Sequence, residues 1–270
     1  MKKYTLRAAI IVLVLLVGFF AYVLWPSSDG EVSAFEDSEC SVVGIELHGE
    51  LVTYISPENY IEDVLVIDQA SSEDIVWNIN DAENDPTVEA IVIEIDSLGG
   101  YVVPAEEIAE ALKLADKPTV ALIRSYGTSA AYWAATGADW IIASENSEVG
   151  SIGVTMSYLD YSKQNENEGI TYQQISSGKF KDTGDYDKPL TEEERIYLQR
   201  DTDIMYNNFV NEVAENRGLE LEKVKLLADG SSMLGQMALD NELIDELGGM
   251  PEVENYLELK HNIDSDICWY

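Results

Sequence analysis

The segment Ala90-Ile91-Val92-Ile93-Glu94-Ile95 is almost wholly apolar, and Asp96-Ser97-Leu98-Gly99-Gly100 follows it directly. A strand with so little polar content reads as a central strand of a parallel sheet, covered on both faces by helices. Further short apolar runs at Val42–Leu47, Leu51–Ile55, Thr119–Ile123 and Trp140–Ala143 read as companion strands. Ser72–Ala82, Pro104–Ala115 and a small-residue segment starting at Ser129 read as the helices between and after them. This alternation of strand and helix patterns is the signature of an α/β domain.

After Gly184 the pattern becomes helical. Thr191-Glu192-Glu193-Glu194 is a capping box, with Thr191 as N-cap and Glu194 three residues on. It opens a helix that runs to about Arg217, where Gly218 can stop it. Shorter helical pieces follow around Glu220–Ala228, Gly235–Asn241 and Pro251–His261. Residues 41–270 thus read as one continuous α/β domain with a helical second half.

Charge is divided sharply along the chain. The formal net charge is −35, yet residues 1–25 hold Lys2, Lys3 and Arg7 and no acid, which leaves 13 basic against 51 acidic residues in the remainder. Such a polyanion repels nucleic acid, whose binding depends on Lys and Arg displacing counterions. Ala8 to Trp25 is an apolar run of 18 residues without a charge, close to the roughly 20 that an α-helix needs to cross a bilayer. The basic residues precede it and the acidic excess follows it. The positive-inside rule therefore expects residues 1–7 in the cytoplasm, an uncleaved single-pass anchor at 8–25 and an extracytoplasmic body in the cell membrane. Residues 26–40 read as a polar linker. A cleaved signal peptide fits less well, since Val32-Ser33-Ala34 is a poor cleavage site and lies far from the apolar run.

With 46% hydrophobic residues, 15 Tyr and 5 Trp, the chain can bury a core despite its charge. Cys40 and Cys268 are its two cysteines, too few for a disulfide scaffold or a cysteine-cluster metal site. They flank the body. In an oxidising compartment they could bridge its ends, and in a reducing one they would stay as thiols. No Asp-x-Asp-x-Asp-Gly loop suggests calcium.

Three segments place special residues where strands give way to turns or helices. In Asp96–Gly100 the paired glycines allow unusual backbone and close approach to a ligand, and N–H groups exposed there could hold an oxyanion. In Ser125-Tyr126-Gly127-Thr128-Ser129-Ala130-Ala131-Tyr132, Ser129 falls at a helix start. The unpaired N–H groups there favour developing negative charge, which suits a nucleophile, although a plain serine N-cap would look the same. A serine nucleophile needs a base, and the chain has two histidines, His48 and His261, neither within a motif. Lysine can serve instead if its surroundings lower its pKa from about 10.4 towards neutrality. Ser176-Ser177-Gly178-Lys179-Phe180-Lys181-Asp182 offers two candidates that physics alone does not rank.

In this order and spacing the segments resemble the signal peptide peptidase A family, membrane-anchored Ser-Lys peptidases on the Clp protease/crotonase-like fold with its repeated ββα units. The resemblance spans roughly residues 41–258. Asp96–Gly100 is similar to the family's Ser-Pro-Gly-Gly turn, with Leu98 in place of proline. Ser129-Ala130-Ala131-Tyr132 is similar to Ser-Gly-Gly-Tyr, and Ala138-Asp139 through Gly150-Ser151-Ile152-Gly153-Val154 to the Ala-Asp, Gly-Ser-Ile-Gly-Val stretch. Gly178-Lys179-Phe180-Lys181 resembles the Gly-x-x-Lys turn, and Ala228-Asp229-Gly230 with Asp245-Glu246-Leu247-Gly248-Gly249 the C-terminal signature.

By position, the resemblance implies Ser129 as nucleophile, Lys181 as general base, Lys179 as a bystander and Ser151 as the hydroxyl that orients the lysine. Gly100, with Gly99 and Ala130, would form the oxyanion hole. It implies a serine endopeptidase that needs no metal or cofactor, a ring-like homo-oligomer with catalytic groups shared between subunits, and substrates such as cleaved signal peptides. Two departures are expected to matter. Ala130 and Ala131 add methyl groups beside the nucleophile, and Leu98 loosens the oxyanion turn. A catalytically inactive, membrane-tethered binding or scaffolding module is the competing reading, and an acyl-CoA enzyme of the crotonase type a distant third.

Overall fold

Parallel neighbours in a sheet need a crossover between them, and here helices supply most of these. The computed structural model describes residues 41–56, 59–61, 64–65, 68–264 and 266–270, so the anchor expected at 8–25 and the linker at 26–40 lie outside the described residues. In chain order the first half comprises β1 (Val42–Val52), β2 (Tyr60–Ile61), β3 (Val64–Leu65), β4 (Gln69–Ser71), α1 (Ser72–Asn84), β5 (Ala90–Gly100), α2 (Val102–Leu114), β6 (Thr119–Thr128), α3 (Ala130–Ala135), β7 (Trp140–Ala143) and β8 (Glu148–Gly150). The second half comprises α4 (Ser162–Glu168), α5 (Glu192–Asn216), α6 (Leu221–Leu227), β9 (Ser232–Leu234), α7 (Gly235–Asp240), β10 (Glu246–Leu247), α8 (Met250–Tyr256), a π-helical turn at Leu257–His261 and β11 (Ile267–Trp269).

The main sheet runs in the order β10-β7-β6-β5-β1-β11, with β4 added to the far end of β1 and β8 to the far end of β6. Within this sheet every pair is parallel except β8 with β9, and β2 and β3 form a separate antiparallel pair. β5 lies in the middle, as its composition requires, and Ala90, Ile91, Val92, Ile93 and Ile95 are fully buried. Glu94 is the polar exception. It accepts from His48 at 3.2 Å and pairs with Arg124, so it is matched rather than stranded.

Loop carboxylates and a lysine set the strand ends. The Asp139 carboxylate accepts from the Thr119 N–H at 2.9 Å while the Thr119 hydroxyl accepts from the Asp139 N–H at 2.9 Å, which locks the start of β7 to β6. The Lys117 ammonium donates to the carbonyls of Ala82 and Asp85 at 2.5 and 2.6 Å and so caps the C-terminus of α1.

Helix α5 begins as the sequence requires. Thr191 and Glu194 form the reciprocal capping box, and α5 ends at Asn216, one residue before the expected stop. Several elements differ from the sequence expectation. β1 is one strand through Val52 rather than two, because Gly49, at φ +76°, and a register shift between His48 and Glu50 carry the chain through without breaking the ladder. β5 and β6 continue through Gly100 and Thr128, so Asp96–Gly100 and Ser125–Thr128 are strand ends with a register shift rather than turns after strands.

The C-terminus adds β11 beside β1, where Trp269 lies against Gly44 so closely that a Cβ there would meet its ring at 2.5 Å. Cys268, on β11, is disulfide-bonded; the chain's other cysteine, Cys40, lies outside the described residues.

Candidate active site

Strand pairing converges at the end of β6. β8 pairs with β6 up to Thr128 opposite Gly150, and β9 pairs with β8 with Ser232 opposite Gly150. Ser129, Ser151 and Gly230 are thereby brought to one place. The Ser129 N–H donates to the Gly150 carbonyl at 2.7 Å, the Ser151 N–H to the Ser231 carbonyl at 3.1 Å, and the Gly230 N–H to the Ile152 carbonyl at 3.1 Å. The Ser151 hydroxyl donates to the Gly230 carbonyl at 3.0 Å, which leaves its oxygen free to accept.

Ser129 is not an ordinary N-cap. It stands at the N-cap position of α3, but its hydroxyl makes no capping hydrogen bond and its backbone adopts φ +53°, ψ −127°. Ser151 also has a positive φ, +51°. Two non-glycine residues held in sparsely populated backbone, side by side in a cleft, mark the kind of strain that functional sites retain.

The glycine pair explains how this serine is reached. At Gly99, φ +112°, a Cβ would come within 2.8 Å of the Ser129 Cβ, so only glycine lets β5 pass this close. The Gly99 N–H is already used, donating to the Ser97 hydroxyl at 3.1 Å, and Ser97 in turn donates to the Gly49 carbonyl at 2.5 Å. The Tyr101 N–H donates back to the Leu51 carbonyl of β1 at 2.9 Å. The parallel ladder therefore turns the Gly100 N–H away from β1, to the edge on which β6 lies. Ala130 is the first residue of α3, so its N–H has no acceptor within the helix. Gly100 and Ala130 are the two donors the geometry leaves for an oxyanion, and Gly99 serves by its shape.

These residues open onto a cleft of about 760 Å³, lined by Glu50, Gly100, Tyr101, Val102, Val103, Ser129, Ala130, Trp133, Ser151, Gly153, Val154, Thr155, Met156, Met205, Tyr206, Phe209, Ala228, Asp229 and Gly230. Trp133 stacks on Phe209 of α5 with ring centroids 4.8 Å apart. Ala131 is fully buried and does not line the cleft, and Leu98 is exposed outside it. Of the two alanine methyl groups expected beside the nucleophile, that of Ala130 lines the cleft and that of Ala131 does not. The turn around Leu98, expected to be loosened, is held by the Ser97 hydroxyl, which accepts from the Gly99 N–H, and by the Thr128 hydroxyl, which donates to the Leu98 carbonyl at 3.1 Å. A second groove of about 760 Å³ lies between α1 and α2, but the hydroxyl of its serine, Ser72, is committed to Glu107 at 2.5 Å.

Neither lysine candidate lines the cleft of its own chain. Lys179 pairs with Glu193 at 2.6 Å, and Lys181 is exposed with no side-chain partner among the described residues. The histidines do not line it either. His48 is bound to Glu94 and His261 packs on Tyr256 with centroids 5.2 Å apart. Among the described residues no His, Cys, Asp and Glu cluster could hold a metal.

The segment that carries Lys181 is fastened at its C-terminal end. Lys188 donates to buried Glu194 at 2.5 Å, and the Thr191 N–H and hydroxyl donate to the same carboxylate at 2.9 Å each. The Lys188 bond and then the Thr191 N–H hold the Glu194 carboxyl at about 2, below its ordinary 4.5. A depressed carboxyl stabilises the fold above the ordinary value and loses that contribution as pH falls from about 4.5 to 2. Proteolytic cleavage within residues 155–190 is expected to accelerate over this window, and Glu194→Gln to show the fast cleavage already at pH 7.

Elsewhere the sequence signatures are structural. Arg217 grips both oxygens of Asp245 at 2.7 and 3.0 Å, and Asp245 also accepts from the Ile141 N–H at 2.8 Å, tying α5 to the edge of β7. The Tyr132 hydroxyl donates to the Leu243 carbonyl at 2.8 Å, and burial pushes that phenol upwards.

The fold, a mostly parallel sheet with helical crossovers, is Clp-like. ClpP1 of Listeria monocytogenes, as an N165D mutant, superposes with a TM-score of 0.50 at 14% identity, covering 76% of this chain and 91% of that one. The profile of Peptidase family S49 matches residues 111–264, and the chain belongs to that family. It is 34% identical over 189 residues to a protein named as a putative protease in Methanocaldococcus jannaschii, 69% of this chain and 61% of that one. It is 32% identical over 184 residues to one named as a putative signal peptide peptidase SppA in Enterococcus faecium, 67% of this chain and 54% of that one. The chain thus spans less than two-thirds of the length of these relatives.

Proposed function

We propose that this protein is a membrane-anchored serine endopeptidase in which Ser129 is the nucleophile and Lys181 of a neighbouring copy is the general base. The observation that carries the reading is Ser129 itself, uncapped, held at φ +53° and facing a largely apolar cleft that Gly100 and Ala130 also line. The lysine amine takes the proton from the Ser129 hydroxyl, and the alkoxide attacks the peptide carbonyl carbon. The N–H groups of Gly100 and Ala130 hold the resulting oxyanion. The intermediate collapses, the leaving amine takes the proton back from the lysine, and water releases the acyl group by the same steps in reverse. The Ser151 oxygen, free because its proton goes to Gly230, accepts from the lysine amine and aims it.

Supply of the base by a neighbour is supported by the position of Lys181 outside its own cleft and by the apolar surface of the segment around it. Leu159, Ile170 and Ile175 are exposed there, Ile175 by 98%. A homo-oligomeric ring would cover that surface and bring the lysine to the neighbouring cleft. The disulfide at Cys268 supports an oxidising, extracytoplasmic location for the body, with the anchor at 8–25 holding it to the cell membrane. The apolar cleft wall suits peptides released from membranes, such as signal-peptide remnants.

Co-assembly of Ser129→Ala with Lys181→Ala subunits tests the shared site. Mixed oligomers are expected to regain a fraction of the hydrolysis of an apolar peptide that both pure variants lack. No recovery in verified mixed oligomers would place the base elsewhere. The position of Lys181 also favours a second reading, a catalytically inactive module that binds peptides at the membrane; it predicts tight peptide binding with no turnover in the wild-type protein.

A further inference from the structure

Among the described residues the cleft is lined by two charged side chains, Glu50 and Asp229, and both are acids. Glu50 stands opposite Gly99 in the β1–β5 ladder, and so next to the glycine pair that flanks Ser129. Its carboxylate is exposed and held through one oxygen. The Asn59 amide donates to the Gln69 side-chain oxygen at 3.2 Å, and the Gln69 amide donates to Oε2 of Glu50 at 3.1 Å. Among the described residues Oε1 has no partner and Glu50 makes no ion pair. Asp229 is differently placed: its Oδ1 takes both the N–H and the hydroxyl of Ser231, at 2.9 and 2.5 Å, which closes a local turn. An oriented carboxylate with an open oxygen, at the rim of a largely apolar cleft, is built to take a cation.

We infer that Glu50 is a specificity-determining residue that receives an ammonium or guanidinium group flanking the apolar residue of the substrate. The inference rests on the peptidase reading and adds a substrate class to it: peptides in which an apolar stretch adjoins a Lys, an Arg or a free α-amino group. The junction between the basic and apolar regions of a signal peptide has this composition. Phosphorylated or acid-flanked peptides would meet two carboxylates and be disfavoured.

Peptide pairs sharing one apolar core test this, with Lys or Gln placed at each of the four positions on either side and with a free or acetylated N-terminus. The full-length protein is expected to cleave the best Lys peptide about fivefold faster than its Gln twin at low salt, the size of a partly exposed ion pair. That ratio should shrink as KCl is raised. Glu50→Gln, whose amide oxygen can still accept from Gln69, is expected to bring the ratio to about one, and Asp229→Asn to leave the ratio in place. A preference for free over acetylated N-termini without one for Lys over Gln would assign the site to the α-amine. Equal cleavage of all pairs, or a preference that survives Glu50→Gln or disappears in Asp229→Asn alone, overturns the inference.

Binding of the same pairs to Ser129→Ala separates this from the function itself. Glu50-dependent Lys preference in binding, with no hydrolysis by the wild-type protein, keeps the subsite and sinks the peptidase reading. Equal binding of the pairs sinks the subsite.

Discussion

Ser129→Ala is expected to lower hydrolysis of an apolar peptide by at least about 10³-fold, because it removes the atom that forms the acyl-enzyme. Lys181→Ala is expected to cost about 10² to 10⁴-fold, the range for loss of a positioned general base. Lys179→Ala is expected to change the rate by less than about twofold, since that side chain sits in an exposed pair with Glu193. The three together decide the assignment that the sequence leaves open between two lysines in one turn. Intact folding of each variant follows from position: Ser129 makes no side-chain cap hydrogen bond, and both lysines are on the surface. A Lys181→Ala enzyme that keeps wild-type rates would remove the dyad from the mechanism.

Gly99→Ala is the second large effect. The added methyl would lie 2.8 Å from the Ser129 Cβ and 3.0 Å from the Thr128 carbonyl oxygen, on backbone at φ +112°. Strain of this kind costs about 1–3 kcal/mol, which a domain of this size tolerates. Displacement of the nucleophile is the sharper consequence, since a shift of about 1 Å can cost about 10²-fold in rate. Gly169→Ala provides the contrast. It too has a positive φ, +73°, but ends α4 with nothing within 4 Å of its Cβ position. Its variant is expected to lose stability while retaining hydrolysis. Equal rates for Gly99→Ala and the wild-type protein would mean that β5 does not press on the serine.

Features fixed by local pattern could be read from the sequence. β7 matches its expected bounds, and the α5 capping box forms because Thr191 and Glu194 satisfy each other's backbone within one turn. Buried apolar content placed β5 at the centre of the sheet. Features fixed by partners distant in sequence could not. β8 and β9 are three residues each and exist because they pair across 82 to 86 residues of chain, while β11 exists because β1 offers it an edge. The same holds for the site. Ser129 and the glycine pair were legible, because a serine at a helix start and Gly-Gly at a strand end have local signatures. That the Gly99 N–H is spent on Ser97 was not legible. Nor were Glu50 and Asp229 as the charged residues of the cleft, since each is one acid among 51 until the fold brings it to the serine.

The central claim is that Ser129 is an activated nucleophile, and covalent labelling tests it most directly. The full-length protein, treated with a serine-reactive phosphonate and digested for mass spectrometry, is predicted to carry one adduct, on Ser129, formed much more slowly in Lys181→Ala and absent in Ser129→Ala. Undiminished labelling of Ser129→Ala, or no adduct on Ser129 in the assembled wild-type protein, would contradict the account.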